Sequence, residues 1–269
     1  MCTLVILYRP GHDWPLLLAA NRDEWLDRPS RPPGRHWEDR PEVLAGLDLT
    51  AGGSWLGLND HGVVAAVLNR QDSLGPLAGK RSRGELVLEA LDHAEAGAAV
   101  GALADLSPEA YRPFNLLVAD PRSCYWVRHA GDGIRVHPVS PGLHMLASGD
   151  LDDPVQPRIA RFLPRFRAAA TPDPESGDWS AWIALLQCRA VDAGAVADSG
   201  SGADDAVCAD VGVDADAAMN LSGLSVAGKP FGTRSSTLIA LPAYPGFQQM
   251  PILLHADGPP DQADFLRVG

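Results

Sequence analysis

Two short apolar runs open the chain, residues 3–8 (TLVILY) and 16–20 (LLLAA), with RPGHDWP between them. Pro and Gly punctuate that connection, so the pattern predicts a β-hairpin. The near-continuous apolar character of both runs predicts strands covered on both faces. Residues 27–42 (DRPSRPPGRHWEDRPE) mix proline with charge and predict an irregular surface loop. Over 43–69, VLAGLDL, GGSWLGLN and GVVAAVLN follow one another with Gly and Asn-Asp at the joins, the pattern of a strand meander. The stretch SRGELVLEALDHAEAG then changes period. Leu86, Leu88, Ala90, Leu91 and Ala94 form a broad helical face, and Ser82 and Glu85 have capping-box spacing.

A second helix is expected over about 97–105, strands at FNLLVAD, CYWVRHA and GIRVHPV, and helices over 157–170 and 179–191. GTRSSTLIAL reads as a final strand. Residues 193–218 are rich in Ala, Gly and Asp without a clear period and predict a long mobile loop. Grouped strands, then helices, then strands give an α+β pattern rather than the alternation of a doubly wound sheet. No internal repeat interrupts it, and a single domain over 1–269 is expected.

Composition narrows the function classes. Apolar residues make up 46% of the chain, enough for a substantial core. Asp and Glu outnumber Lys and Arg by 34 to 22, a formal charge of -12, which argues against nucleic acid and anionic membrane surfaces as partners. The first apolar run is too short for a signal-peptide core, and no stretch approaches the roughly 20 apolar residues of a spanning helix. A cytoplasmic protein is therefore expected, its oligomeric state left open. Cys2, Cys124, Cys188 and Cys208 show no C-x-x-C spacing and are expected to be free thiols in a reducing compartment, Cys124 as a buried strand residue. Phosphate-binding loops, the G-x-S-x-G elbow and H-E-x-x-H are all missing. The eight histidines lack metal-ligand spacing, so no metal is expected, and His61 in NDHG reads as a turn residue.

The chemistry that remains gathers at the start of the chain. Initiator methionine is commonly removed before a small residue, which would leave the α-amine on Cys2. Such an amine has a pKa of about 7.7–8.0, so nucleophile and base would lie within one residue. The plainer reading of Cys2 is a small apolar residue that begins a buried strand. Asn21-Arg22-Asp23-Glu24 closes the neighbouring run; strand alternation would put Asn21 and Asp23 on one face, Arg22 and Glu24 on the other. An arginine there would depress a thiol pKa, and an aspartate would accept a hydrogen bond from the Cys2 ammonium. The alternative is a solvated charged turn. Asn69-Arg70 and Arg234 also stand at the polar ends of apolar strands. Asn amides and backbone N–H groups suit an oxyanion, and Arg234 would orient a carboxylate or a carbonyl.

MCTL, NRDEWLDRPSRPP, AGLDLTAGGSWLGLNDHGVVAAVLNR, SRGEL, FNLLVAD and GTRSST occur in one fixed order. This set resembles the NRDE family, the group that includes the eukaryotic transport-and-Golgi-organisation protein 2, from Cys2 to about Leu241. The family is similar to N-terminal-nucleophile hydrolases of the penicillin V acylase and bile-salt hydrolase branch. That resemblance implies a four-layer αββα sandwich with Cys2 as nucleophile, Arg22 and Asp23 assisting, Asn69 donating to the oxyanion, and Arg234 as the late arginine. Asn21, Glu24, Trp55, Arg70 and Gly149 complete the expected substrate-contacting set. Arg22 and Asp23 are adjacent here, whereas the hydrolases separate them. Gly149 stands where relatives carry the side-chain oxyanion donor Asn; losing one such donor typically costs about 10²–10³ in rate. The resemblance implies an amidohydrolase acting on a small-molecule C–N bond, or a non-catalytic carrier of haem, lipid or acyl-CoA, with no other cofactor.

Overall fold

The computed structural model describes residues 2–189, 217–243 and 249–269. The expected hairpin is present as β1 (Thr3–Tyr8) and β2 (Leu16–Trp25), in register from Thr3 opposite Asn21 to Tyr8 opposite Leu16. β2 does not stop at Ala20. It continues through Asn21-Arg22-Asp23-Glu24 because β12 (Lys229–Leu241) supplies ladder partners along its whole length. The polar tetrapeptide is thus central-sheet backbone, not a solvated turn.

β1 and β2 belong to a sheet completed by β10 (Gly142–Leu146), β11 (Leu224–Val226), β12, β13 (Ile252–Ala256) and β14 (Leu266–Arg267), along the path β10-β1-β2-β12-β13-β14 with β11 on β12. The meander becomes the second sheet. It runs in chain order through β3 (Ser30–Gly34), β4 (Val43–Asp48), β5 (Leu56–Asn59), β6 (Val64–Asn69), β7 (Phe114–Ala119), β8 (Cys124–His129) and β9 (Ile134–Pro138). All pairings are antiparallel.

Three apolar layers fit the α+β expectation. One lies between the sheets and includes Leu4, Ile6, Leu18, Leu56, Leu68, Leu117 and Ile239. A second packs α3 (Pro157–Ala168) and α4 (Ser180–Leu186) on the first sheet through Phe162, Phe166 and Trp182. A third packs α1 (Gly84–Leu91) and α2 (Ala96–Ala104) on the second sheet through Leu86, Leu91, Val100 and Leu103. The near-continuous apolar runs of β1 and β2 are thus strands buried on both faces, one against the second sheet and one against helices. No helix among the described residues is long and apolar enough to cross a membrane.

Several expectations need correction. Residues 27–42 are not wholly irregular, since β3 lies within them. As an edge strand with a register shift between Arg31 and Gly34, it tolerates Pro32 and Pro33 where no ladder N–H is required. GTRSSTLIAL is not the final strand, because β13 and β14 extend the sheet beyond it. The capping box does not form as expected. Ser82 Oγ accepts from Gly84 N at 3.2 Å, while the Glu85 carboxylate is drawn away by Arg81 and the Tyr111 hydroxyl. Cys188 is disulfide-bonded rather than free. Of the predicted mobile loop, 193–216 lies outside the described residues, and Ala217 and Ala218 are buried. Cys124 is a buried strand residue, as expected.

β10, an edge strand of the first sheet, is fastened by His144. Its Nδ1 lies 2.6 Å from Asp152 Oδ2, and its Nε2 lies 2.9 Å from the Ser140 carbonyl. The Asp152 hydrogen bond raises the His144 pKa against its burial. A raised folded pKa means the contribution is fully present below the ordinary histidine value of about 6.5. It disappears as pH climbs through the folded value. His144→Asn is accordingly expected to lower stability by about 1–2 kcal/mol at pH 6 and by much less at pH 9, as read by urea unfolding at both pH values.

Candidate active site

Cys2 immediately precedes β1 and packs half-buried against the core between the sheets. Its Sγ donates to the backbone carbonyl of Asp23 at 3.6 Å. The thiol lines a cleft of about 280 Å³ shared with Arg22, Glu24, Trp55 and Asn69. Five of the residues singled out from sequence therefore meet in one place. They come from both sheets: the residue before β1, β2, the approach to β5 and the end of β6. A smaller cavity continues inward between the sheets beside Cys2, Ala20, Leu68 and Thr237.

Alternation along β2 sets what each member of the tetrapeptide does. Arg22 and Glu24 face the cleft. The Arg22 guanidinium stacks 3.9 Å from the Trp55 ring centroid and donates to Ser30 Oγ at 2.9 Å, an arrangement that favours Arg over Lys. Burial lowers its pKa against the attraction of Glu24. Asn21 and Asp23 face the helices on the other side. The Asn21 amide donates to the Leu186 and Met219 carbonyls, and its oxygen accepts from Ser236. It clamps the helical layer and leaves no donor for a ligand. Asp23 accepts from Arg158 Nη1 at 2.9 Å and from Thr233 Oγ1 at 2.7 Å.

Arg22 attracts the Cys2 thiolate, but it does not bring the thiol below its ordinary value. Burial pushes the thiol pKa up, and Asp23 pushes it further. Desolvation of a thiolate in this corner outweighs the nearby guanidinium. At neutral pH Cys2 is a protonated thiol that needs a base.

Besides Asn21 and Asp23, three more predicted site residues do not line the cleft. Arg70 is held by Asn115 Oδ1 at 2.7 Å, the Gly149 carbonyl at 3.2 Å and Asp150 Oδ1 at 2.6 Å. Gly149 gives its carbonyl to Arg70 and to Asn115. A Cβ there would lie 2.8 Å from both Asp153 Oδ2 and Gln156 Cγ, so the space an asparagine would enter is filled by those side chains. Arg234 sits where the register shifts between Thr233 and Ser235, its Nε buried without a hydrogen-bond partner. By contrast Asn69 makes no side-chain hydrogen bond among the described residues.

Sequence reasoning missed Arg158, Thr237 and His255. Arg158, in the first turn of α3, also donates to Thr3 and is buried with Asp23. Thr237 Oγ1 is 2.9 Å from His255 Nδ1. Burial, reinforced by Arg22 and against the pull of Asp257, lowers His255 to about 4, so it is neutral at pH 7. The only sequence signal for this pair was a polar residue inside each of two apolar runs.

Gly46 supports Trp55 by lacking a side chain. A Cβ at Gly46 would lie 2.3 Å from the indole ring. Gly46→Ala is expected to cost about 1–3 kcal/mol through overpacking and to displace Trp55 from Arg22. A changed tryptophan emission maximum together with a lowered urea midpoint would register both effects.

The sequence profile of the family described as Transport and Golgi organisation 2 matches residues 1–244. The Transport and Golgi organization protein 2 homolog of Bos taurus is 33% identical over 177 residues, which cover 57% of this chain and 59% of that one. The match thus spans about three-fifths of that relative's length. Among solved structures, penicillin V acylase from Agrobacterium tumefaciens is similar at 13% identity and TM-score 0.49, over 95% of this chain and 83% of that one. A mutant conjugated bile acid hydrolase from Clostridium perfringens is similar at 11% identity and TM-score 0.49, over 100% and 97%. With Cys2 at the head of β1, the NRDE tetrapeptide in β2 and the GTRSST strand beside it, the chain belongs to the Transport and Golgi organisation 2 family.

Proposed function

We propose that this chain is an N-terminal-cysteine amidohydrolase acting on the C–N amide bond of a small molecule, with Cys2 exposed by removal of Met1. The observation that carries the reading is the placement of Cys2 in the wall of a 280 Å³ cleft opposite Trp55, Arg22 and an uncommitted Asn69. A protonated thiol suits a mechanism in which the base is supplied by its own α-amine. The S–H proton passes to that amine as Sγ bonds the carbonyl carbon. Asn69 and backbone N–H groups hold the oxyanion. The proton then passes to the leaving nitrogen as the C–N bond breaks. Water, giving a proton to the same amine, cleaves the thioester, and the thiol takes that proton back as it leaves.

The roles of the remaining residues follow their positions. Asp23 and Arg158 hold β1 and β2 against α3 and so position Cys2. Arg22 and Trp55 form the wall facing the acyl group. The test is release of free amine from a panel of small N-acyl amides by Met1-processed protein. Turnover on at least one member is expected, and none on a panel spanning neutral, acidic and basic amides would contradict the reading.

A second reading, a non-catalytic carrier of a lipid or acyl-CoA ligand, is favoured by two observations: the raised Cys2 pKa, and Gly149 where an oxyanion donor is expected. Haem fits the cleft poorly. Among the described residues its lining holds no histidine or methionine, and its cysteine, Cys2, is held protonated. The cytoplasmic location expected from sequence belongs to the proposal as well, and the Cys188 disulfide counts against it, since such bonds are rare in reducing compartments.

A further inference from the structure

The chain carries a net charge of -12, yet six basic and two acidic side chains line the Cys2 cleft: Arg22, Arg28, Lys80, Arg81, Arg83 and Arg112 against Glu24 and Asp48. Two of the cations are neutralised. Arg28 pairs with Asp48 at 2.6 Å, and Arg81 with Glu85 at 2.6 Å. Arg22, Lys80, Arg83 and Arg112 have no carboxylate within ion-pair distance among the described residues.

Arg83 and Arg112 stand at the centre of this excess. Arg83 Nη1 donates to the carbonyls of Ser73 at 2.8 Å and Pro113 at 3.0 Å. Arg112 Nη1 donates to those of Leu74 at 2.7 Å and Gly75 at 2.9 Å, and its Nη2 to that of Asp72 at 3.0 Å. Carbonyls satisfy hydrogen bonds but do not cancel charge. The Nε of Arg112 makes no hydrogen bond among the described residues. Burial, aided by Arg112 and against the attraction of Glu24, lowers the Arg83 pKa to about 10, so Arg83 remains charged at pH 7. Two like charges held together in a partly desolvated wall repel each other, and a bound anion is the species that relieves them.

We propose that Arg83 and Arg112 form an oxyanion-binding subsite of the Cys2 cleft, so that the ligand reacting at or resting on Cys2 carries a carboxylate or a phosphate. This rests on the cleft being the ligand site and is independent of hydrolysis. It makes the substrate class an anionic amide. Lys80, half-buried at the rim with Nζ donating to the Glu109 carbonyl, adds attraction during approach. A neutral or cationic ligand would leave the wall charge unanswered.

The test uses Cys2 as a reporter, with its peptide followed by mass spectrometry. Alkylation rates by anionic iodoacetate and neutral iodoacetamide are measured on the full chain. In wild type the iodoacetate-to-iodoacetamide ratio is expected to exceed that of Arg112→Gln by about threefold or more at low salt, with a smaller loss in Lys80→Gln. Lys80→Gln removes one rim hydrogen bond, to the Glu109 carbonyl, and keeps the test valid if Arg112→Gln fails to fold. Inorganic phosphate and acetate are then added at matched ionic strength during iodoacetamide labelling. Protection by phosphate, by acetate or by both supports the subsite and identifies the anion. An unchanged ratio in the variants, or protection by neither anion, overturns it. Because alkylation needs no turnover, a chain that fails to hydrolyse amides can still pass or fail here.

Discussion

Cys2→Ala is expected to abolish amide turnover, by about 10⁴-fold or more as for loss of a catalytic nucleophile, while the fold survives. The side chain is half-buried at the start of β1, and its one hydrogen bond is a 3.6 Å contact from sulfur to the Asp23 carbonyl. Removing it costs under about 1 kcal/mol. The circular dichroism spectrum and urea midpoint should therefore be near wild type while product release falls to background. Cys2→Ser separates the roles further, because a hydroxyl keeps the shape and loses the intrinsic nucleophilicity of sulfur. A Cys2→Ala protein that still turns over amides would remove Cys2 from the chemistry. Under the carrier reading the same variant keeps ligand affinity within a few-fold, since Arg22, Trp55 and the arginine pair remain.

The largest stability effect is expected from Arg158→Met. Arg158 and Asp23 pair at 2.9 Å with side chains 4% and 0% exposed. Breaking a buried pair by removing one partner typically costs about 3–5 kcal/mol, because it strands the other charge. Asp23 would keep its bond from Thr233 and lose the buried guanidinium at 2.9 Å. A large drop in the urea midpoint at pH 7 is expected. Asp23→Asn added to Arg158→Met should recover part of the loss, since the stranded carboxylate is then gone. If Arg158→Met behaved like a surface substitution, within about 0.5 kcal/mol, Asp23 would not be anchored as described. Activity should fall too, because β1 and β2 carry Cys2 and Arg22.

The fold was legible where hydrophobic period and punctuation agreed. The meander of β4, β5 and β6 and the strands β7 to β9 were each marked by apolar runs with Gly or Asn-Asp at the joins. β10 and β14 were not: Gly142 and His144 break the apolar run of GLHML, Leu266–Arg267 is exposed, and both are strands only where β1 and β13 pair with them. The same dependence on partners hid the true length of β2. Asn21-Arg22-Asp23-Glu24 has poor strand propensity, and only β12 holds it extended.

At the site, Cys2, Arg22, Glu24, Trp55 and Asn69 were named from sequence and share the cleft. Alternation correctly divided the tetrapeptide into two faces but could not say which face was the pocket. The Asp23 carboxylate therefore went to α3 rather than to the cleft. Arg158 was invisible because nothing near it in sequence marks it as the partner of a residue 135 positions away. The arginine pair at 83 and 112 was invisible for the same reason: two loops remote in sequence meet only through the second sheet.

The central claim is that Cys2, once Met1 is removed, is an acylatable nucleophile in a ligand cleft. Intact-mass measurement of Met1-processed, folded protein after brief exposure to an electrophilic acyl probe tests it most directly. A single acyl adduct is expected, placed on Cys2 by peptide mapping and abolished by Cys2→Ala. A folded, Met1-processed sample that remains unmodified at Cys2 would contradict it.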